Sequence, residues 1–186
     1  MMVMVMTYSG NPLISEAYRL EQQRLHENPN YGVASVQFAP LVTAFINQFG
    51  VRRVLDYGAG KGRLAQNIRP DHEISMTFYD PAVPAWSTLP GPHEMVACID
   101  VLEHIEPDLL DNVLDHLAVL TERLGFFTVH TGPAVKTLSD GRNAHLIQMP
   151  PSWWLPKILD RFELVTFQRT GAGFWVLVAN RGAQIS

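Results

Sequence analysis

At Val54-Leu55-Asp56-Tyr57-Gly58-Ala59-Gly60-Lys61-Gly62 an apolar run passes into D-x-G-x-G-x-G. Glycines there allow a sharp turn and let a ligand touch backbone that a Cβ would cover. A helix starting behind such a loop offers free N–H groups and the positive end of its dipole to a carboxylate or phosphate. Asp80 ends the next apolar run, 20 residues after Gly60, where a carboxylate can accept both hydroxyls of a ribose. Dinucleotide sites prefer G-x-G-x-x-G, whereas Gly62 comes one position early and Asp56 precedes the loop. That acidic side chain repels a pyrophosphate and suits an ammonium. The pattern is a nucleoside pocket at the C-terminal ends of parallel strands.

Further candidates lie in the last third. His130 closes Leu124–His130 (LGFFTVH) beside Thr131-Gly132, and His145 ends the run Asp140-Gly141-Arg142-Asn143-Ala144-His145. A histidine poised near neutral pH suits a general base. Arg142, Asn143 and His145 place polar heads in one short loop before apolar Leu146-Ile147, which makes Arg142 and Asn143 candidate substrate contacts. A hydrogen-bonded strand end is the plainer reading of His130, and His104 reads as structural or cofactor-adjacent. Tyr31-Gly32 could form a lid or an ordinary turn, and Trp153 and Trp154 could pack under the sheet or wall a substrate pocket. No metal ion is expected: seven histidines are scattered without H-x-x-x-H or H-E-x-x-H, and Glu103, Glu106 and Asp108 read as helix-entry charges.

Periodicity gives the secondary structure around these residues. Up to Gly50 the chain reads as helical, with a Ser15-capped helix broken at Asn28-Pro29 and a second over roughly 35–49, containing Pro40. From Val51 short apolar runs alternate with helical stretches, the mark of βαβ units and a mostly parallel sheet. Strands are predicted over 52–57, 74–79, 95–99 and 124–130, helices over 61–68, 107–122 and 153–160, and a closing antiparallel pair over 162–167 and 174–179. The loop from Thr131 to Pro151 has the length of a functional loop.

Asp56-x-Gly58-Ala59-Gly60-x-Gly62, Asp80 and Cys98-Ile99-Asp100-Val101-Leu102-Glu103-His104-Ile105 together resemble the class I S-adenosylmethionine-dependent methyltransferases, over roughly residues 51–179. The resemblance implies an α/β, Rossmann-like, mostly parallel sheet with an antiparallel C-terminal strand, helices on both faces and an N-terminal helical extension. One domain over 1–186 is expected, with 1–50 as lid or extension and 51–186 as cofactor-binding core. It implies S-adenosyl-L-methionine as cofactor, wrapped by Asp56, Gly58, Ala59, Gly60 and Gly62, with Asp80 on the ribose diol and Ile99, Asp100 and Val101 on the adenine-side floor. The sequence departs from the family between Asp80 and Met95, where Pro81–Glu94 holds four prolines. The usual third strand and the helix before it must be shortened or missing there. Met149-Pro150-Pro151-Ser152-Trp153 resembles the Asn/Asp-Pro-Pro-aromatic tetrad of amino-methylating nucleic-acid enzymes. It lies at the wrong place in the strand order, and Met149 offers no acceptor.

Composition bounds the partners. At 186 residues and 47% apolar, one domain can bury a core without staples, and the lone Cys98 allows neither a disulfide nor a cysteine metal cluster. The short apolar start lacks a basic region, and no run approaches the roughly 20 apolar residues of a membrane span. A cytoplasmic protein without membrane contact is expected, and a homodimer is compatible with its size. Residues up to His130 hold 8 basic and 15 acidic side chains, and the remainder 6 and 3. Such a balance suits long nucleic acid poorly and leaves the C-terminal third free to meet an anionic small molecule. The leading reading is methyl transfer to a hydroxyl, carboxyl or amine of a small acceptor. The alternatives are a nucleic-acid or protein methyltransferase, a non-catalytic partner-binding subunit of the same fold, and a nicotinamide enzyme, the last disfavoured by glycine spacing and Asp56.

Overall fold

The computed structural model describes residues 7–28 and 32–184; Tyr31 lies outside them. The periodicity predicts helix up to Gly50, but among the described residues a small antiparallel hairpin comes first: β1 (Thr7–Tyr8) and β2 (Asn11–Pro12), turned by Ser9 and Gly10 at positive φ. Helix α1 (Glu16–His26) follows. Its N-cap Ser15 accepts the Tyr18 N–H at 3.2 Å, while the Ser15 N–H and hydroxyl donate to the Glu106 carboxylate at 2.8 and 2.7 Å. One residue thus satisfies an orphan helix donor and ties α1 to the body. Ser15→Ala is expected to lower stability by about 1–2 kcal/mol, read from urea unfolding midpoints; an unchanged midpoint would show the cap to be idle.

Helix α2 (Ala34–Phe49) keeps Pro40 inside its second turn and ends on Gly50 in the left-handed conformation. The sheet then begins with β3 (Arg53–Tyr57), followed by a short α3 (Arg63–Asn67), β4 (Ser75–Tyr79) and β5 (His93–Ile99). Between β4 and β5 the chain makes a single 3-10 turn, Pro84–Trp86, and no strand. The proline-rich shortening therefore removes one strand of the usual sheet. Two further 3-10 turns, at Leu102–His104 and Pro107–Leu109, lead into α4 (Leu110–Leu120).

Strand β6 (Thr121–His130) starts three residues before the sequence expectation, and the preceding helix is correspondingly shorter. The buried Thr121 hydroxyl donates to the Leu117 carbonyl at 2.7 Å and closes the helix there. Helix α5 (Pro151–Leu159) starts at the proline pair, and β7 (Phe162–Arg169) and β8 (Gly173–Asn180) form the closing antiparallel pair.

The six-stranded order is β4-β3-β5-β6-β8-β7, with parallel pairing up to β6 and antiparallel pairing of β8 and β7. Alternation along the strands supplies two cores. Leu55, Tyr57, Val96 and Cys98 face α4 and α5, while Val54, Met95 and Ala97 face α2 and α3. The C-terminal ends of β3, β4 and β5 thereby come side by side, the place where an open parallel sheet receives a ligand. Among the described residues no helix is long and apolar enough to cross a membrane.

Candidate cofactor and acceptor site

A cavity of ≈ 270 Å³ opens at those strand ends, between the glycine loop, residues 99–101 and α1. Eight of the nine residues expected to hold the cofactor line it: Asp56, Gly58, Ala59, Gly60, Asp80, Ile99, Asp100 and Val101. Gly62 does not. It caps α3 at φ 65°, where a Cβ would stand 3.1 Å from the Trp86 ring that stacks on Phe78. Its role is to let the loop close against that pair.

The other glycines are required by close approach. A Cβ on Gly58, at φ +77°, would meet Val101 Cγ2 at 2.3 Å, and one on Gly60 would meet His26 Cε1 at 3.2 Å. Four of the loop's own N–H groups are already engaged. Gly58 and Ala59 N–H both donate to the Tyr79 carbonyl (2.7 and 3.1 Å), Gly60 N–H to Asp80 Oδ2 (2.9 Å) and Gly62 N–H to the Ala59 carbonyl (2.8 Å). Helix α3 has only five residues, so its dipole is short too. The loop is a shaped wall strapped to the end of β4, and the charges in the cavity come from carboxylates.

Asp80 is buried, with Oδ2 taking the Gly60 N–H and Oδ1 the Ala82 N–H, each at 2.9 Å. Each oxygen keeps a second lone pair. His26 Nε2 from α1 stands 3.7 Å from Oδ2. Asp56 is 4% exposed and its Oδ2 has no hydrogen-bond partner. Burial, with the Asp80 charge nearby, pushes its carboxyl up to about 7. A buried carboxylate oxygen with no donor, at the wall of an open cavity, fits a cationic group supplied by a ligand. Asp100 holds φ 51°, uncommon for a residue with a Cβ; its N–H and Oδ1 are both bonded to the Thr128 hydroxyl, at 2.9 and 2.6 Å.

Sequence reasoning missed the roof and back of this cavity. Tyr18, Gln22 and His26 line it from α1, and Tyr57 and Tyr79 from the strand ends. The i, i+4 spacing of Tyr18, Gln22 and His26 on one helical face was the available signal. Tyr57 OH lies 3.0 Å from Nδ1 of buried His116, whose pKa is pushed down to about 4 by burial.

Beyond the floor, three histidines gather. The ring centroid of His145 is 4.7 Å from that of His104 and 4.8 Å from that of His130. His104 lines the cavity, whereas His130 and His145 stand behind it. Burial, then the His145 ring, push His104 down to about 4; burial also lowers His145 against a raising hydrogen bond to the Gly132 carbonyl. Glu103, read from sequence as a helix-entry charge, is instead 0% exposed, with Oε1 accepting the His130 N–H at 2.8 Å and burial pushing its carboxyl well up.

The remaining substrate candidates lie away from the cavity. Arg142 is exposed and paired with Asp140 at 2.7 Å. Asn143 ties the loop together, Oδ1 accepting the Ala134 and His145 N–H groups and Nδ2 donating to the Ala134 carbonyl. Trp154 is fully buried in the core with Nε1 donating to the Met149 carbonyl at 3.1 Å, and Trp153 packs edge-on against it with the Lys157 ammonium 4.7 Å over its ring.

No curated protein matches the chain by sequence. A model of the methyltransferase domain family matches residues 30–169. Among solved structures, 1,6-didemethyltoxoflavin-N1-methyltransferase of Burkholderia thailandensis, with 1,6-didemethyltoxoflavin and S-adenosylhomocysteine bound, aligns at a TM-score of 0.62 over 88% of each chain with 18% identity. An O-methyltransferase family protein of the same organism aligns at 0.63 over 92% of this chain and 64% of its own, with 15% identity. Magnesium protoporphyrin IX methyltransferase of Synechocystis PCC 6803, with S-adenosylhomocysteine bound, aligns at 0.53 over 88% of this chain and 94% of its own, with 17% identity. The likeness to these structures is one of fold, and with the family match over three quarters of its length the chain belongs to the methyltransferase domain family, in the class I, S-adenosylmethionine-dependent group that its glycine loop resembles.

Proposed function

We propose that the protein transfers the methyl group of S-adenosylmethionine to a hydroxyl, carboxyl or amine of a small, preferably anionic molecule. The observation that carries this reading is the pair of buried carboxylates flanking the glycine loop: Asp56 with an oxygen lacking a donor, and Asp80 with each oxygen fixed by one backbone N–H. Asp56 is suited to the methionyl ammonium, and the second lone pairs of Asp80 to the ribose diol. Ile99, Asp100 and Val101 form the floor, and Gly58 and Gly60 let Val101 and His26 close in on the loop at the edge of the cavity. When bound, the sulfonium supplies a methyl group that is already activated. The protein's task is then mainly alignment and exclusion of water, with the α1 residues Tyr18, Gln22 and His26 overhead.

On the acceptor side we assign His145 and His130. His145 Nδ1 faces the Gly132 carbonyl at 2.7 Å, so neutral His145 carries its lone pair at Nε2 and can take a proton or a cation there. His130 Nδ1 is engaged by the Gly132 N–H at 3.1 Å and holds the ring beside it. A small acceptor is supported by the cavity's cover, with α1 residues in its lining. It is supported too by two similar proteins named for small acceptors, 1,6-didemethyltoxoflavin and magnesium protoporphyrin IX.

Thermal shift tests the cofactor: S-adenosylmethionine and S-adenosylhomocysteine are expected to raise the melting temperature and NAD to leave it unchanged; a larger response to NAD overturns the assignment. Asp80→Ala removes one carboxylate from the diol and from the Gly60 N–H, at about 1.5–3 kcal/mol for a hydrogen bond to a charged group. Calorimetry should show S-adenosylmethionine binding weakened about 10- to 100-fold, and unaltered affinity would refute the ribose contact. Incubation of small-molecule and nucleic-acid pools with methyl-labelled cofactor is expected to place label in the small-molecule pool.

A further inference from the structure

The histidine group contains an arrangement that the cofactor contacts leave unexplained. One ligand atom each from Glu103, His104 and His145 lies within 4.8 Å of the other two. Glu103 reaches the cluster from the 3-10 turn after β5, fully buried, with Oε1 fixed by the His130 N–H. Its Oε2 has no hydrogen-bond partner.

Both imidazoles are held from behind. His104 Nδ1 lies 2.8 Å from the Ala144 carbonyl and His145 Nδ1 2.7 Å from the Gly132 carbonyl. A ring nitrogen at that distance from a carbonyl carries the hydrogen, so Nε2 is the basic nitrogen of each neutral ring. Anchoring of Nδ1–H to a carbonyl is the way metal-ligating imidazoles are oriented. The two rings stand nearly perpendicular, at 83°.

We propose that Glu103, His104 and His145 bind a divalent transition-metal ion through one carboxylate oxygen and two imidazole nitrogens, with open coordination positions on the cavity side, where His104 lines the wall. Two nitrogen donors favour zinc, cobalt, manganese or iron over magnesium and calcium, which prefer oxygen ligands. Bonds of about 2.1 Å to nitrogen and oxygen require the three ligand atoms to draw together by roughly an ångström. The 131–150 loop, which carries His145 and the Ala144 and Gly132 carbonyls, would then be tied to the end of the sheet. An open position facing the cavity suits an oxygen or nitrogen of the acceptor; this role rests on the methyltransferase reading, but the binding itself does not.

The test uses the full, untagged chain, freed of metal by chelation and titrated with Co²⁺ while visible absorption and melting temperature are followed. The expected result is saturable binding of one equivalent with the d–d bands of nitrogen and oxygen coordination, a raised melting temperature, displacement by Zn²⁺ and no displacement by equimolar Mg²⁺. Glu103→Gln, which keeps an acceptor for the His130 N–H, and His145→Gln are each expected to weaken Co²⁺ at least about 10-fold. Asp80→Ala should bind Co²⁺ like the wild type while losing S-adenosylmethionine affinity, so failure of the metal site and failure of the cofactor reading are told apart. Absence of saturable bands in the folded wild type, or wild-type Co²⁺ affinity in a folded Glu103→Gln or His145→Gln protein, overturns the proposal.

Discussion

Asp56→Asn is expected to weaken S-adenosylmethionine binding by about 30- to several-thousand-fold and to remove its pH dependence below neutrality. The substitution keeps the shape of a buried side chain and deletes only the charge that would meet the methionyl ammonium. Removing one member of a buried charge pair costs about 2–5 kcal/mol, which sets the range. The pH dependence follows from the raised carboxyl. With a folded-state pKa of about 7, caused first by burial and then by the Asp80 charge, the group is neutral in the empty protein below that pH. It must lose its proton to pair with an ammonium. Wild-type affinity should therefore rise by up to about 10-fold per pH unit between pH 5 and 7 and level off above, while the variant stays flat.

Stability runs the other way. A carboxyl whose folded pKa lies above its unfolded value stabilises the fold fully below the unfolded pKa and loses that contribution as pH rises through about 7. The empty wild type should melt lower at pH 8 than Asp56→Asn does. Calorimetry across pH and paired melting curves check both; pH-independent wild-type affinity over pH 5 to 7 would remove Asp56 from the ammonium site.

Trp154→Ala is expected to destabilise the fold by about 3–5 kcal/mol without a direct effect on cofactor affinity. The indole is fully buried among Leu114, Leu117 and Phe162 and makes its own hydrogen bond to the Met149 carbonyl. Its removal leaves a cavity and an unpaired acceptor together. At about 2–4 °C per kcal/mol for a chain of this size, the melting temperature should fall by roughly 10 °C. At a temperature where the variant is folded, S-adenosylmethionine affinity should match the wild type. A loss of affinity with intact stability would mean that Trp154 faces a ligand.

Much of this site is local in the chain and was legible for that reason. The strand into Asp56, the positive-φ glycines and Asp80 at the end of the next strand are set by short-range sterics and strand length. The missing strand was legible as four prolines in a segment too short to hold a strand and helix. The early start of β6 was not, because Leu117, Leu120 and Leu124 continue an apolar pattern that helix and strand share, and the event that divides them is a hydroxyl turned back on the Leu117 carbonyl. The α1–β1–β2 region was half legible: Ser15 announced the helix, but a two-residue hairpin strand has no periodicity to read. The Glu103, His104 and His145 cluster was invisible, since its members meet only when the long loop folds back and Ile147 N–H bonds the Glu103 carbonyl at 3.0 Å.

The helix over the cavity carries two buried side chains, Tyr18 and Gln22, whereas α4 carries six. It is held by hydrogen bonds: Ser15 to Glu106, Tyr18 OH to the His104 carbonyl at 2.5 Å, and the Ser139 hydroxyl to the Glu21 carboxylate at 2.6 Å. Water can replace such partners at a net loss of about 1 kcal/mol each, but it cannot replace a buried leucine. On that balance the segment would open at a free energy below that of global unfolding. A nucleoside beneath it would then leave at the rate of that opening, with the sheet that shapes the pocket intact.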